Sequence, residues 1–169
     1  PSWMPELVAD ARQVVLLVLD GLGWDQLQER SDIAPTIAGL AGGRITTVAP
    51  TTTSTALSSI TTGLTPGEHG LVGYRIVIGG EVMNVLRWAV AGDDRRRVHP
   101  PGDTQRFPAF LGHQVPVVSP FELTGSAFTD AHMRGSSQVG YRATSSLAVE
   151  VGMLVAAGER FVYAYYGGV

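Results

Sequence analysis

The chain has 169 residues and a formal net charge of -3, which gives no general reason to expect nucleic acid as a partner. Its 44% hydrophobic and 16% charged residues are typical of one globular domain and exclude a disordered or membrane-embedded chain. The absence of cysteine excludes disulfides, thiolate metal sites and a cysteine nucleophile. The basic run at residues 95–97 follows two aspartates, which favours a solvated loop over a polyanion site.

The sequence shows no signal-peptide pattern, and its longest apolar run, Val14–Leu19, is too short to cross a bilayer. We therefore expect no membrane partner and favour the cytoplasm as the compartment. Because the chain begins at Pro1 rather than Met, a leader before residue 1 stays an open alternative. The sequence does not predict the oligomeric state.

The first elements have the pattern of a parallel sheet. The apolar run Val14–Leu19 predicts a strand that is buried on both faces. Residues 34–41 have helical spacing with Pro35 in the first turn, and residues 44–48 predict a second strand. Strand, helix and strand over this length predict a βαβ unit with two parallel strands.

The rest of the chain alternates helical and extended patterns. Residues 74–78 and 81–86 flank a Gly-Gly pair, which predicts a hairpin. Residues 91–108 are polar and rich in Pro, Gly and Asp, which predicts a loop or a small cap. Further elements are predicted as a helix at 56–64, a strand at 115–118, a helix at 144–157 and a strand at 161–166.

Candidate catalytic residues follow the two predicted N-terminal strands. Asp20 comes directly after the first strand, and Thr51–Thr55 follow the second. Ligands of open α/β sheets bind outside the carboxyl ends of the strands, so both groups would face one crevice. An aspartate there can bind a divalent metal ion through hard oxygen atoms, although it can equally cap a turn.

The threonine cluster also has two interpretations. A threonine hydroxyl becomes a nucleophile only when a base or a metal ion activates it, and a helix N-terminus offers N–H groups to a phosphoryl oxygen. Threonines before helices are also common N-caps, so Thr53 or Ser54 could simply cap this helix. Position and spacing leave both interpretations open.

Two segments of the sequence resemble motifs of a known enzyme family. Residues 15–23, around Leu19-Asp20-Gly21, resemble the first metal-ligand motif of the alkaline phosphatase superfamily, in its type I phosphodiesterase/nucleotide pyrophosphatase branch. Residues 49–71 resemble that family's nucleophile helix, with Pro-Thr-x-Thr followed by Thr-Gly and then Pro-x-x-His-Gly. This fit assigns the nucleophile to Thr53. The two motifs together are far more specific than either alone.

The resemblance implies a fold and a reaction. The fold would be a three-layer α/β sandwich with a mostly parallel central sheet and an inserted hairpin-and-loop cap at residues 73–120. Residues 1–169 would form a single catalytic domain that is incomplete at its C-terminus. Two divalent ions, usually zinc, would flank the phosphate of a small phosphate ester. Asp20 and Thr53 would bind metal, and Thr53 would form a phospho-threonine intermediate that water then hydrolyses.

Two departures from the family pattern qualify this expectation. An asparagine that contacts phosphate in nucleotide pyrophosphatases is replaced by Ala56, which puts nucleotide specificity in doubt. The family's next motif, Asp-x-x-x-His, should follow a strand such as Phe161–Tyr166, but the chain reaches Val169 first. We therefore expect the remaining ligands beyond Val169, an inactive N-terminal part, and apolar surface left exposed at the sheet edge.

The histidines do not complete a metal site in the sequence. His69 lies in the Pro-x-x-His-Gly segment, where the resemblance implies a structural role. His99, His113 and His132 lack ligand spacing, so surface or structural roles are favoured over metal binding, including for His132 paired with Asp130. Two alternatives to the hydrolase remain: a metal-dependent phosphomutase of the same superfamily, and a non-catalytic binding module that retains the fold.

Overall fold

The computed structural model describes residues 4–169, apart from the side chain of Leu7. No helix in this range is both long enough and apolar enough to cross a bilayer. The helices and strands follow one another as β1 (Val14–Leu19), α1 (Trp24–Glu29), α2 (Pro35–Ala38), α3 (Thr53–Thr62), α4 (Pro66–His69), β2 (Arg75–Ile78), β3 (Glu81–Asn84), β4 (Ala89–Val90), β5 (Asp93–Asp94), α5 (Pro101–Thr104), β6 (Pro116–Pro120), α6 (Ala127–His132), β7 (Ser137–Tyr141), α7 (Thr144–Ala156) and β8 (Phe161–Tyr166).

The central sheet has four strands in the order β1-β8-β6-β7. All three pairs of neighbours are parallel, and β1 pairs along its whole length with β8, from Val14 opposite Phe161 to Leu19 opposite Tyr166. Parallel strands need crossover connections, which the helices between them supply. The expected α/β fold with a parallel central sheet is confirmed.

Alternating side chains of β8 divide the domain into three layers. Val162 and Ala164 pack with side chains of α7 on one face of the sheet. Tyr163 and Tyr165 point to the other face, where they join a core formed with α3 and α6. A sheet covered by helices on both faces buries its apolar strands, which explains the continuous apolar sequence of β8.

A second, antiparallel sheet is formed by β2-β3-β4-β5. Gly79 and Gly80 both have positive φ angles, of 57° and 83°, as the tight turn between β2 and β3 requires. The predicted hairpin is therefore confirmed. Strand β6 lies within the 73–120 segment assigned to the cap, yet it belongs to the central sheet. The division of the chain into a domain and a cap stays a prediction.

The predicted strand at residues 44–48 is wrong, and so is the βαβ unit. Residues 42–48 belong to no helix or strand of the described chain, and Ile45 is 61% exposed. Strand propensity depends on a partner and on burial, and this threonine-rich segment has little apolar surface to bury. The helix before it is also shorter than predicted, because α2 ends at Ala38 and Gly39 forms its C-cap. The strand beside β1 is instead β8, from the far end of the chain.

The prediction that β1 is buried on both faces is also wrong. Val15, Leu16 and Leu17 are 41%, 37% and 47% exposed. The reason is that β1 lies at the edge of the sheet and, among the described strands, pairs only with β8. Apolar surface is therefore exposed along this edge, as expected.

Candidate active site

Asp20 lies at the carboxyl end of β1 and is held by β8. Its backbone N–H donates to the carbonyl of Tyr166 over 2.9 Å, which continues the parallel ladder by one residue. Its Oδ2 accepts a hydrogen bond from the hydroxyl of Tyr165 at 2.8 Å. Helix α1 begins after Gly23 without any side-chain cap, so Asp20 does not cap that helix. The neighbouring strand, rather than the local turn, fixes the Asp20 carboxylate.

The turn after Asp20 requires glycine. Gly21 has a φ of +93°, a conformation that side chains disfavour. A Cβ atom at this position would also lie 2.9 Å from the carbonyl oxygen of Val169. The Asp-Gly pair of the first motif is therefore explained by the sharp departure of the chain from β1.

Hydrogen bonds fix most hydroxyls of the threonine cluster. The Thr51 hydroxyl donates to the carbonyl of Val48 at 3.0 Å. Thr52 is the N-cap of α3, and its hydroxyl accepts from the N–H of Thr55 at 3.4 Å. The alternative that Thr53 or Ser54 caps the helix is therefore wrong.

The Thr53 hydroxyl differs from those of its neighbours. The buried Ser54 hydroxyl donates to the carbonyl of Gly73 at 2.9 Å, and the Thr55 hydroxyl pairs with that of Thr52 at 3.0 Å. Thr53, half-buried at the first position of α3, has no hydrogen bond from its hydroxyl to any residue in 4–169. The first N–H groups of a helix lack intrahelical partners and attract anions, so Thr53 lies beside a favourable place for a phosphoryl group.

A cavity of about 170 Å³ lies beside Thr53. Both Thr53 and Tyr165 line it, and Tyr165 in turn donates to Asp20. Tyr165 therefore contacts Asp20 and shares a cavity wall with Thr53, while Asp20 itself does not line the cavity. The remaining lining is largely apolar and comes mainly from α3, α6 and β6.

The donor set of this site is incomplete for a two-metal centre. Asp20 and Thr53 offer oxygen donors of the kind that hard divalent ions accept. Within residues 4–169, no three side chains of His, Cys, Asp or Glu lie together in a group that could hold a metal ion. Catalytic zinc normally takes three protein ligands, and two-metal sites need more. The described residues alone do not fit such a pair of ions.

Tyr165 is a stable hydrogen-bond donor to Asp20. Burial raises the pKa of its hydroxyl well above the ordinary value, and the hydrogen bond to Asp20 raises it further. Burial likewise raises the pKa of Tyr163, two residues earlier on the same face of β8. Both phenols therefore stay neutral at any ordinary pH, and Tyr165 keeps its proton for the Asp20 carboxylate.

His69 links helix α3 to the segment after it through hydrogen bonds. Its Nδ1 accepts from the N–H of Leu71 at 3.1 Å, so Nε2 carries the proton and donates to the Ser59 hydroxyl at 2.9 Å. Burial lowers its pKa, which keeps the ring neutral in this arrangement. Gly70, with a φ of 82°, ends α4. The Pro-x-x-His-Gly motif is thus a short capped helix whose histidine has a structural role, as expected.

The other histidines lie in different surroundings. His99 accompanies Arg95 beside Glu81 in the small sheet, with its Nε2 3.2 Å from Glu81 Oε2, and His113 is exposed. Asp130 is exposed whereas His132 is buried, so these two do not form a ligand pair. His132 instead lines the cavity beside Thr53.

Sequence analysis missed two residues of this site, Tyr165 and His132. Alternation along β8 could have shown that Tyr165 shares a face with Tyr163 near the carboxyl end of the strand. The spacing of Phe128 and His132 on a short helix gave a weaker signal, because a helix of this length has no clear amphipathic pattern.

Comparison with known proteins identifies the family. The family model described as type I phosphodiesterase / nucleotide pyrophosphatase matches residues 14–150, which is most of the chain. The chain belongs to this family. A search of curated proteins finds no match to it. The type I phosphodiesterase / nucleotide pyrophosphatase family is a family of hydrolases, and the match includes β1, Asp20 and the whole of α3.

Proposed function

We propose that this chain carries the nucleophile of a metal-dependent hydrolase that cleaves phosphodiester or nucleotide pyrophosphate bonds of small phosphate esters. Thr53 is the nucleophile of this proposal and Asp20 one of its metal ligands. The observation that carries the proposal is the hydroxyl of Thr53, which lies at the start of α3 on the cavity wall and has no hydrogen bond to any residue in 4–169. Its neighbours in the cluster use their hydroxyls in hydrogen bonds within the protein.

The proposed reaction has two steps. A bond forms between the Thr53 hydroxyl oxygen and phosphorus, and the bond from phosphorus to the leaving alcohol or phosphate breaks. Water then cleaves the phospho-threonine, which releases the phosphate product and restores the hydroxyl. The unpaired N–H groups at the start of α3 are suited to hold a phosphoryl oxygen through both steps.

The proposed role of Asp20 is to bind one of two divalent ions, which are zinc in this proposal and supply Lewis acidity when bound. Tyr165 orients its carboxylate through Oδ2. Because residues 4–169 hold no group of ligands that could complete such a site, further residues must supply them. We therefore expect the 169-residue chain alone to be inactive, and the full product of the gene that encodes it to be active.

The test is hydrolysis of bis-p-nitrophenyl phosphate by the full gene product with zinc. We expect turnover by the wild type and by Thr51→Ala, and none by Thr53→Ala. Thr51 is a matched control because its exposed hydroxyl belongs to the same cluster but contacts only the Val48 carbonyl. Equal activity of Thr53→Ala and the wild type would contradict the role of Thr53. A wild type inert towards diesters and pyrophosphates would contradict the function.

A non-catalytic binding module is the second candidate. It is favoured by one observation, that no metal-ligand group exists among residues 4–169. Titration of the full gene product with zinc by calorimetry separates the two candidates. Binding of two zinc ions per chain supports the hydrolase, whereas no zinc binding together with retained binding of phosphate esters supports the module.

A further inference from the structure

The cavity beside Thr53 has an apolar wall that the proposed reaction does not require. Its apolar wall is formed by Leu57, Val117, Phe128 and Met133, all of which are buried. With about 170 Å³, it is close in size to an engineered apolar cavity of about 150 Å³ that binds benzene. A single six-membered ring fits this volume, whereas a nucleoside, with its base and its ribose, exceeds it and would have to extend out of the cavity.

One hydrogen-bond acceptor of the cavity wall belongs to His132. The ring nitrogen Nδ1 lies 2.6 Å from the carbonyl oxygen of Phe128, so Nδ1 carries the proton and donates it. The ring stacks on that of Phe128 with centroids 4.0 Å apart, which fixes its plane. Burial lowers the pKa of His132 to about 4, so the ring is neutral near pH 7 and Nε2 keeps a lone pair. No residue in 4–169 donates a hydrogen bond to this Nε2.

Gln138 is a second polar residue that lines the cavity. Its Nε2 donates to the hydroxyl of Ser136 at 2.7 Å, which orients the amide group. Its Oε1 is buried and has no partner among the described residues. A buried acceptor without a donor is costly, and such groups in native proteins call for an explanation. Because Oε1 has almost no accessible surface, recognition of a ligand's donor is assigned to His132 rather than to Gln138.

We propose that this cavity binds a single aromatic or cyclic group that bears a hydrogen-bond donor, and that His132 recognises the donor. Resting on the proposed function, this assigns the substrate class: small aryl or cyclic phosphate esters rather than nucleotides. The replacement of the family's asparagine by Ala56 agrees with this choice. His132 is a specificity-determining residue in this account, and its neutral Nε2 acts only as an acceptor.

The first test is binding, which needs no turnover. The full gene product is titrated with phenol and, as a control of the same shape without a hydroxyl, with toluene, while the ¹⁵N resonances of the histidine rings are recorded. We expect saturable binding of both probes, with the His132 Nε2 resonance shifted by phenol and not by toluene. Absence of saturable binding, or equal Nε2 shifts with both probes, would overturn the proposal.

A pair of variants makes the test specific for the acceptor. His132→Asn retains an amide N–H for the Phe128 carbonyl but has no group at the place of Nε2, whereas His132→Gln can place an amide oxygen there. We expect phenol affinity to fall about fivefold in His132→Asn, to be largely restored in His132→Gln, and toluene affinity to be unchanged. Equal phenol affinities in His132→Asn and the wild type would contradict the role of His132. If a variant does not fold, the wild-type resonance shifts still decide.

Measurements of hydrolysis distinguish the proposed substrate class from the proposed hydrolase function. With the full gene product and zinc, phenyl methyl phosphate should have a lower KM than dimethyl phosphate, and His132→Asn should raise the KM for a p-hydroxyphenyl ester. Thr53-dependent turnover without any preference for a ring would overturn the substrate class and leave the hydrolase intact. Phenol binding at His132 without any turnover would overturn the hydrolase function and leave the ring-binding cavity intact.

Discussion

The hydroxyl of Tyr165 donates a hydrogen bond of 2.8 Å to Oδ2 of Asp20, across 145 residues of sequence. The pairing of β1 with β8 makes this contact possible, because Val18 and Leu19 lie opposite Tyr165 and Tyr166 in the parallel register. Tyr165 also lines the cavity that Thr53 borders. One tyrosine therefore contacts the residue of the first family motif and shares a cavity wall with the first residue of α3.

Tyr165→Phe should weaken the site without destroying the fold. The substitution removes the hydrogen bond that orients the Asp20 carboxylate but retains the aromatic ring in the core. Groups that orient a metal ligand are typically worth ten- to a hundredfold in metal affinity or activity, so we expect a loss of about tenfold. The measurement is zinc affinity and kcat/KM of the full gene product.

Tyr166→Phe is the control for this prediction. The Tyr166 hydroxyl contacts only the carbonyl of Gly168, at 3.5 Å, and does not face Asp20. Its removal should leave zinc affinity and kcat/KM unchanged. If both variants lose activity equally, the hydrogen bond from Tyr165 to Asp20 does not position the ligand.

Thr52→Ala should destabilise the protein through helix α3. The Thr52 hydroxyl accepts from the N–H of Thr55 as the N-cap, and loss of a cap typically costs about 1 kcal/mol. Thr52→Ser keeps the hydroxyl and should recover most of the stability, which urea unfolding measures. A Thr53→Ala variant that loses as much stability as Thr52→Ala would instead indicate that Thr53 is the cap.

Stability should fall as the pH is lowered, because His132 is buried as a neutral ring. Burial lowers its pKa from the ordinary value of 6.5 to about 4, so between these values the unfolded chain binds a proton that the folded chain does not. The stability that the neutral His132 ring contributes is present above pH 6.5 and is lost as the pH falls toward 4. Urea unfolding should show a loss of about 2 kcal/mol between pH 7 and pH 5 from this group.

The variant His132→Gln isolates this contribution. His69 is also buried with a lowered pKa, so it contributes with the same sign in both proteins. The difference in the free energy of unfolding between wild type and His132→Gln should therefore shrink from pH 7 to pH 5. A difference that does not change over this range would show that His132 takes up its proton equally in the folded and unfolded states.

Removal of metal should abolish activity of the full gene product while leaving the described domain folded. No group of metal ligands supports the core of residues 4–169, which is built from apolar side chains on both faces of the central sheet. We therefore expect EDTA to eliminate hydrolysis and zinc to restore it, with little change in the unfolding midpoint of the 169-residue chain. Unfolding of that chain by EDTA would contradict this account.

The elements that sequence predicted well are those whose burial shows in a local pattern. The apolar run of β8 and the helical spacing of α7 each belong to segments that pack on the central sheet, and both lie where they were predicted. The Gly79-Gly80 turn was equally predictable, because two consecutive positive φ angles almost require glycine. The residues within each of these segments were therefore enough to predict its structure.

The errors concern features that depend on a distant partner. Residues 44–48 have a strand-like composition but pair with no strand of the described chain, and β1 is exposed because it lies at a sheet edge. Tyr165 could not be assigned to Asp20 without the register of β1 against β8, which no local pattern contains. Asp20 and Thr53 could be proposed as site residues nevertheless, because the family motifs that point to them do not depend on the sheet order.

The most direct test of the account is to identify the phosphorylated residue. The full gene product is mixed with bis-p-nitrophenyl phosphate and zinc, quenched in acid within the first turnover, digested and analysed by mass spectrometry. The account predicts one phosphoryl adduct on the peptide that contains Thr53, absent in Thr53→Ala and retained in Thr51→Ala. Hydrolysis that proceeds with the adduct on another residue, or with no adduct in rapid-quench samples, would contradict it.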